Sequence, residues 1–253
     1  PRKRTSDVAA LLNDIISFHY STKRNAYIAI IDFKKAFDSC HIPTLLTKKA
    51  RKGINGKLLR MTHALYTDSK AQFMINGQLG EPFDITRGVA QGCVMSPLAF
   101  NLYIDDLLHE LSESQAGFAV TVKHDYDEEA VERYCSSNSF VDDLVLIADS
   151  SRGLQQLIDI VSSWSDRNYF RINLGKEGTG VLHIGKRENY EDFYLHGQAL
   201  RTLNTEENFS SVKYLGFLLR PDGKWTDFGN KQLSRARSAI GQFHELLTCQ
   251  QLK

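Results

Sequence analysis

Ala26-Tyr27-Ile28-Ala29-Ile30-Ile31-Asp32 runs apolar and β-branched for six residues and then ends on a carboxylate. A run this short, without polar alternation, has the pattern of a buried strand, and Asp32 is the residue that the strand delivers at its end. A second stretch repeats the theme. Phe140-Val141-Asp142-Asp143-Leu144-Val145-Leu146-Ile147-Ala148 sets two acids amid an apolar β-type run, which reads as strand, tight turn and strand over 139–148. Carboxylates placed against apolar runs are costly unless something cationic neutralises them. A pair of divalent metals meets that need: oxygen ligands suit Mg²⁺, and two ions about 4 Å apart can hold the attacking and leaving oxygens of an in-line phosphoryl displacement. Taken singly, each acid reads more simply as a cap or turn residue.

Outward from these two stretches the apolar spacing is mostly helical. Val8, Leu11, Leu12, Ile15, Ile16 and His19 predict an amphipathic helix over 6–20 behind a Ser6 or Asp7 cap. Helical patterns return over 41–51 and 56–67, and 71–75 with Asn76-Gly77 and 81–86 reads as a hairpin. Ser96-Pro97 places a proline at the first position of a helix striped by Leu98, Leu102, Leu107, Leu108 and Leu111. A strand is expected over 118–122, and the acidic stretch 124–132 reads as a solvated loop or short helix resembling an insertion. A helix over 154–164, strands over 180–184 and 213–219 and a last helix over 227–247 complete the alternation. The class is α/β or α+β, without a visible interdomain break.

Composition excludes several other classes. The 253 residues are 42% apolar and 24% charged, which is ordinary globular material. No stretch approaches 18 uninterrupted apolar residues, and Pro1-Arg2-Lys3-Arg4 precedes a polar helix start, so a soluble intracellular protein is expected, neither exported nor membrane-spanning. Cys40, Cys93, Cys135 and Cys249 form no C-x-x-C pair, which argues against a disulfide framework or a zinc module. Charge is unevenly placed: residues 1–70 hold 14 Lys and Arg against 5 Asp and Glu, and the remainder holds 17 against 25. A basic end of this kind suits a polyanion, and a solvated lysine-rich face is the equally weighted alternative.

Read together, order and flanks carry a specific resemblance. Ile31-Asp32-Phe33-Lys34-Lys35-Ala36-Phe37-Asp38 resembles motif A of reverse transcriptases, Arg87-Gly88-Val89-Ala90-Gln91-Gly92-Cys93-Val94-Met95-Ser96-Pro97 motif B, and Phe140-Val141-Asp142-Asp143 the motif C turn. Asn173-Leu174-Gly175-Lys176 is similar to motif D, Tyr214-Leu215-Gly216 to the primer-grip motif E, and Arg4-Thr5-Ser6-Asp7 to the end of the upstream fingers motifs. The wording is closest to the non-LTR retrotransposon (LINE-like) branch. The resemblance implies a right-hand polymerase fold with a ferredoxin-like palm: the end of the fingers over 1–26, a palm over 27–219 with a fingers insertion at about 41–86, and the start of a thumb over 220–253. It implies RNA-templated DNA synthesis from deoxynucleotides on a DNA primer with two Mg²⁺ ions, Mn²⁺ being a substitute, in the nucleus or cytoplasm.

The same resemblance assigns residues. Asp32 and Asp142 are the expected metal ligands, with Asp143 supporting the metal site or the primer end. Phe33, Phe37, Gln91 and Gly92 are expected at the nucleotide, Phe37 beneath its sugar, where a flat ring leaves no room for a 2′-hydroxyl. Lys176 is expected to protonate the leaving pyrophosphate. Lys48, Lys49, Arg51, Lys52 and Lys57 are candidates for the nucleic-acid backbone. Tyr103-Ile104-Asp105-Asp106 matches the family's Y-x-D-D wording but sits in the leucine-striped helix, where the acids read as a solvated face. Asp38 lies near the spacing of the second acid that RNA-dependent RNA polymerases carry, a signal outweighed by Phe37 and by a Phe-Val-Asp-Asp turn in place of Gly-Asp-Asp. Val141 stands where this branch usually has Ala, and Glu177 where a hydroxyl residue is common. Two other readings share this core: a non-catalytic, domesticated domain serving as a scaffold or RNA-binding subunit, and a group II intron maturase.

Overall fold

The computed structural model describes residues 5–67, 69–90, 92–122, 131–175, 178–185, 192–202 and 212–219, with positions 224, 229, 230 and 234. In chain order these form helix α1 (Thr5–Thr22), strand β1 (Ala26–Ile31), the short helix α2 (Ala36–Ser39), helices α3 (Ile42–Arg51) and α4 (Gly56–Thr67), and two-residue strands β2 (Lys70–Ala71), β3 (Met74–Ile75), β4 (Gln78–Leu79) and β5 (Phe83–Asp84). Helix α5 (Ser96–Glu113), strands β6 (Phe118–Val122), β7 (Val131–Cys135), β8 (Ser137–Phe140) and β9 (Asp143–Ala148) and helix α6 (Ser151–Arg167) follow. Strands β10 (Gly180–Ile184), β11 (Tyr194–Leu195), β12 (Gln198–Ala199), β13 (Arg201–Thr202), β14 (Val212–Tyr214) and β15 (Phe217–Leu219) complete the set.

Two compact units result, one of Tyr27–Val181 with Asn189–Arg201, the other of Pro1–Ala26, Leu182–Glu188 and Thr202–Lys253. The units interleave along the chain, which is why no linker marks them in the sequence. In the larger unit β1, β9 and β8 are antiparallel neighbours, with Tyr27 opposite Ala148, Ile31 opposite Leu144 and Phe140 opposite Asp143. Leu144 to Ala148 are all buried, as the apolar run of a strand covered on both faces demands. Helix α6 starts as its sequence dictates: Ser150 caps it, its Oγ accepting from Gly153 N at 3.2 Å. Leu154, Leu157, Ile158, Val161 and Trp164 then face the core at helical spacing. Burying a side chain of this size stabilises by about 1.5–3 kcal/mol.

Helices α3, α5 and α6 are tied by one polar knot. Lys48 Nζ donates to Tyr103 O at 2.7 Å and to Asp106 Oδ1 at 2.8 Å, and Trp164 Nε1 donates to the same Asp106 oxygen at 3.0 Å. The ammonium also lies 4.4 Å from the Tyr103 ring centroid and 4.9 Å from that of Trp164. Burial holds Lys48 below the usual lysine range, and the Asp106 carboxylate opposes that shift.

In the smaller unit, α1 buries Val8, Leu12, Ile15, Ile16 and His19 on one face. Strands β14 and β15 form a hairpin there, with Leu215 and Gly216 both in the left-handed region at φ 49° and 83°.

Two sequence expectations change. The Asn76-Gly77 turn, with both residues at positive φ, closes Ile75 against Gln78, so β3 pairs with β4; the outer pair joins β2 to β5. Of the acidic stretch expected to be loop or helix, Val131 and Glu132 lie in β7, paired with Val122 and Thr121, and 123–130 lie outside the described residues. Most of the last expected helix, 227–247, lies there too.

Lys48→Met removes the cation that Asp106 and Tyr103 O share. A loss of about 2 kcal/mol is expected in urea denaturation, because a half-buried carboxylate loses its charged partner.

Candidate active site

The register of the central strands places the acids. Ile31 opposes Leu144, so the next residue of the first strand, Asp32, leaves the sheet beside the first residue of the second, Asp143. Asp142 lies in the turn between Phe140 and Asp143, at the same end of the sheet. Val141, the other turn residue, has φ 59°, a left-handed conformation that is an outlier for a β-branched residue. Asp143 is an exposed residue, yet its carboxyl is pushed up to about 6, first by partial burial and then by the like charges of Asp142 and Asp32.

Asp32 is held by the segment 173–179. Asn173 Nδ2 donates to Asp32 Oδ2 at 2.7 Å, Asn173 N donates to Asp32 O at 2.7 Å, and Asp32 N donates to Thr179 Oγ1 at 3.0 Å. Asn173 and Thr179 were not singled out individually from sequence; the motif D match was the available signal for the first. Lys176, expected beside the triphosphate, lies outside the described residues, as does Gln91.

The remaining motif residues take varied places. Phe33 is a correction: it is 5% exposed, with its ring against Trp164 and Phe170, so its side chain serves the core and only its backbone is left for a nucleotide. Phe37 is half-buried and stacked on Phe100 with centroids 5.1 Å apart and planes 18° apart. Gly88 N donates to Cys40 O and Val89 N to Phe37 O, both at 2.9 Å, which lashes the motif B loop to the motif A segment. A cleft of about 310 Å³ opens beside this junction, lined by residues that include Asp38, Tyr66, Ser69 and Arg87. Gly92 is exposed at φ 82°. Tyr214, Leu215 and Gly216 form the β14–β15 corner in the smaller unit.

The basic cluster is also corrected. Lys48 belongs to the knot with Asp106, Lys49 is 4% exposed and donates to Thr62 Oγ1 at 3.3 Å, and Lys52 pairs with Asp105. Only Arg51 and Lys57 of the five are exposed without an ion pair among the described residues. The same contacts revise the view of Asp105 and Asp106 as a solvated face, since they are half-buried acids that neutralise α3, far in role from a metal pair.

Among the described residues no group of three or more His, Cys, Asp or Glu side chains is gathered for a metal. The donor set nevertheless fits a hard divalent cation. Carboxylate oxygens are its preferred ligands, and Mg²⁺ in nucleotide enzymes commonly takes one or two carboxylates, completing its shell with water and phosphate. Among the described residues no Lys or Arg ion-pairs Asp32 or Asp142.

Comparison with known proteins follows the same lines. The family model described as "Reverse transcriptase (RNA-dependent DNA polymerase)" matches residues 3–219. The chain is 26% identical over 232 residues to the Retrovirus-related Pol polyprotein from type-2 retrotransposable element R2DM of Drosophila melanogaster, covering 88% of this chain and 20% of that one. It is 32% identical over 220 residues to the corresponding polyprotein from type-1 retrotransposable element R2 of Nasonia vitripennis, covering 85% and 20%. The chain thus spans about a fifth of the length of the curated relatives it matches. Among solved structures, telomerase from Candida albicans superposes with TM-score 0.54 at 15% identity over 87% of this chain and 34% of that one. Apo telomerase from Candida tropicalis gives 0.55 at 12% identity over 88% and 36%. These likenesses carry the right-hand polymerase fold.

Gly88 and Gly92 should respond differently to alanine. A Cβ at Gly88 would meet Asp38 Cα at 2.9 Å and Asp38 O at 3.2 Å in addition to its φ of 92°, whereas Gly92 has nothing within 4 Å and bears conformational strain alone. Gly88→Ala is expected to cost about 2–3 kcal/mol and Gly92→Ala about 1 kcal/mol in chemical denaturation.

Proposed function

The chain belongs to the reverse transcriptase (RNA-dependent DNA polymerase) family, and from that premise we propose that it is the catalytic core of an enzyme that copies RNA into DNA. The observation that carries the reading is the register that sets Asp32 beside Asp143, with Asp142 in the adjoining turn. In the reaction a primer 3′-hydroxyl gives up its proton to solvent, its oxygen bonds to the α-phosphorus of a deoxynucleoside triphosphate, and the bond from that phosphorus to the bridging oxygen breaks to release pyrophosphate. Two Mg²⁺ ions held by Asp32 and Asp142 would supply Lewis-acid stabilisation of the charge that builds on those oxygens. The protein's own share is placement: positioning and charge neutralisation supply most of the catalysis in phosphoryl transfer.

On this reading Phe37, backed by Phe100, forms a floor under the sugar and rejects a 2′-hydroxyl by bulk. Gln91 and Gly92 meet the nucleotide and template, Gly92 because its backbone can approach closely. Lys176 gives a proton to the leaving pyrophosphate oxygen. The Tyr214–Gly216 corner holds the primer end, and exposed Arg51 and Lys57 lie along the nucleic-acid backbone. Residues 1–26 end the fingers, 27–219 form the palm with its insertion at about 41–86, and 220–253 begin the thumb. The polyprotein relatives are much longer, so template choice and further activities belong to the parent protein.

Primer extension on a defined RNA template by the full-length parent tests the proposal. Asp142→Asn should lower the rate about 10³-fold or more with RNA–primer binding roughly retained, and chelating the metal should stop extension in the wild type. Near-normal extension by Asp142→Asn would remove the assignment. Phe37→Ala should shift the ratio of deoxynucleotide to ribonucleotide efficiency by about 10-fold toward the ribonucleotide, with some loss of Tm from the broken Phe100 stack. An unchanged ratio would transfer sugar selection to another residue, with Asp38 the first to test.

A further inference from the structure

Among the described residues, one side chain hydrogen-bonds the motif A carboxylate. Asn173 Nδ2 donates to Asp32 Oδ2 at 2.7 Å, and the orientation of this amide is fixed from its other end, because Asn173 Oδ1 accepts from Gly175 N at 3.1 Å. A flipped amide would lose both bonds, so the donor must face Asp32. The backbone reinforces the contact. Lys34 N donates to Arg171 O at 2.8 Å, Phe33 bridges Ile172, and Asn173 N donates to Asp32 O at 2.7 Å, so the segments 32–34 and 171–173 run as a short antiparallel ladder.

The return of the loop is equally constrained. Thr179 N donates to Asn173 O at 2.7 Å and Gly178 N to Gly175 O at 2.9 Å. A Cβ at Gly178 would stand 2.2 Å from Asn173 O and 2.7 Å from Asn173 Cγ, so only glycine lets the chain pass this closely behind the amide. Thr179 Oγ1 then accepts from Asp32 N at 3.0 Å. The loop therefore grips Asp32 at its N–H, its carbonyl and one carboxylate oxygen, and among the described residues no hydrogen bond or ion pair takes up Oδ1.

The choice of an amide matters electrostatically. A lysine or arginine in the same place would hold the carboxylate equally well but would cancel the charge that attracts a metal. A neutral donor fixes orientation and preserves the full negative charge, which is what partners behind a ligating carboxylate do. Resting on the polymerase reading above, we infer that Asn173 is a positioning residue that locks the Asp32 carboxylate for cation binding and joins the motif D loop mechanically to motif A. Asn173 and Thr179, on the described residues either side of the loop, are thereby both tied to Asp32.

The test is a Mn²⁺ titration of the full-length protein followed by electron paramagnetic resonance, with primer extension run in parallel. Asp32→Asn marks the signal lost when the ligand itself is gone. Asn173→Ala should raise the Mn²⁺ dissociation constant about 10-fold and lower kcat by a similar factor, with KM for the deoxynucleotide changed far less. Asn173→Ser should match Asn173→Ala in the titration. Its hydroxyl can still accept from Gly175 N and preserve the loop, but it is too short to reach Asp32. Thr179→Val, which removes the acceptor of the Asp32 N–H and spares the carboxylate contact, should lower Tm while leaving Mn²⁺ affinity within about 2-fold. Wild-type Mn²⁺ affinity in both Asn173 variants overturns the inference, as does an equal loss of affinity in Thr179→Val. The titration reads metal binding without turnover, so a wild-type protein that binds Mn²⁺ through Asp32 but extends no primer overturns the polymerase reading alone.

Discussion

The pairing of Ile31 with Leu144 is the constraint from which the site follows. Side chains in a sheet alternate with period two, so slipping this register by one residue would turn Leu144 and Leu146 away from their core neighbours and carry Asp143 out of line with Asp32. The apolar residues of the two strands therefore do two things at once. Their burial selects the register, and the register presses carboxylates together at the sheet end. The raised affinity of Asp143 for a proton comes first from its partial burial at this sheet end and then from the like charges of Asp142 and Asp32.

A second layer of control comes from loops lashed to the same segment. The motif A stretch is bonded to the 87–90 loop through Phe37 O and Cys40 O, and to the 173–179 loop through Asp32. Both attachments depend on a glycine admitting close backbone approach, Gly88 over Asp38 and Gly178 over Asn173. Strands give the acids their positions, and the loops set their orientation. This division is what a site needs when catalysis depends on sub-ångström placement.

Much of this was legible in the sequence. The apolar run that ends in Asp32, the one that carries Asp142 and Asp143, the Ser96-Pro97 helix start and the Asn76-Gly77 turn each carry a local signal, and the structure uses all of them. What was not legible is tertiary. Nothing near Lys48 announces that its partner is Asp106, nor that Trp164 shares that carboxylate, because these residues meet only after three helices have packed. A charge count consequently overstated the cations free to meet phosphate. Phe33 reads like its neighbours in the motif, and only the alternation of the chain around Asp32 directs its ring to the core. Residues 131–132 looked like part of a solvated acidic stretch because strand pairing with 121–122 rescues a polar segment that has no apolar period of its own.

The central pairing also bears on how the chain reaches its fold. The β8–β9 hairpin is local, joined by a two-residue turn, and can form early, whereas β1 meets β9 across more than a hundred intervening residues. Closing so long a loop is entropically slow, and the reward is the burial of both strands. On contact order alone, Asp142 and Asp143 are expected to be set in their turn before Asp32 arrives beside them. The last approach brings like charges together, so the ionic composition of the medium bears on the rate of assembly as well as on the finished site.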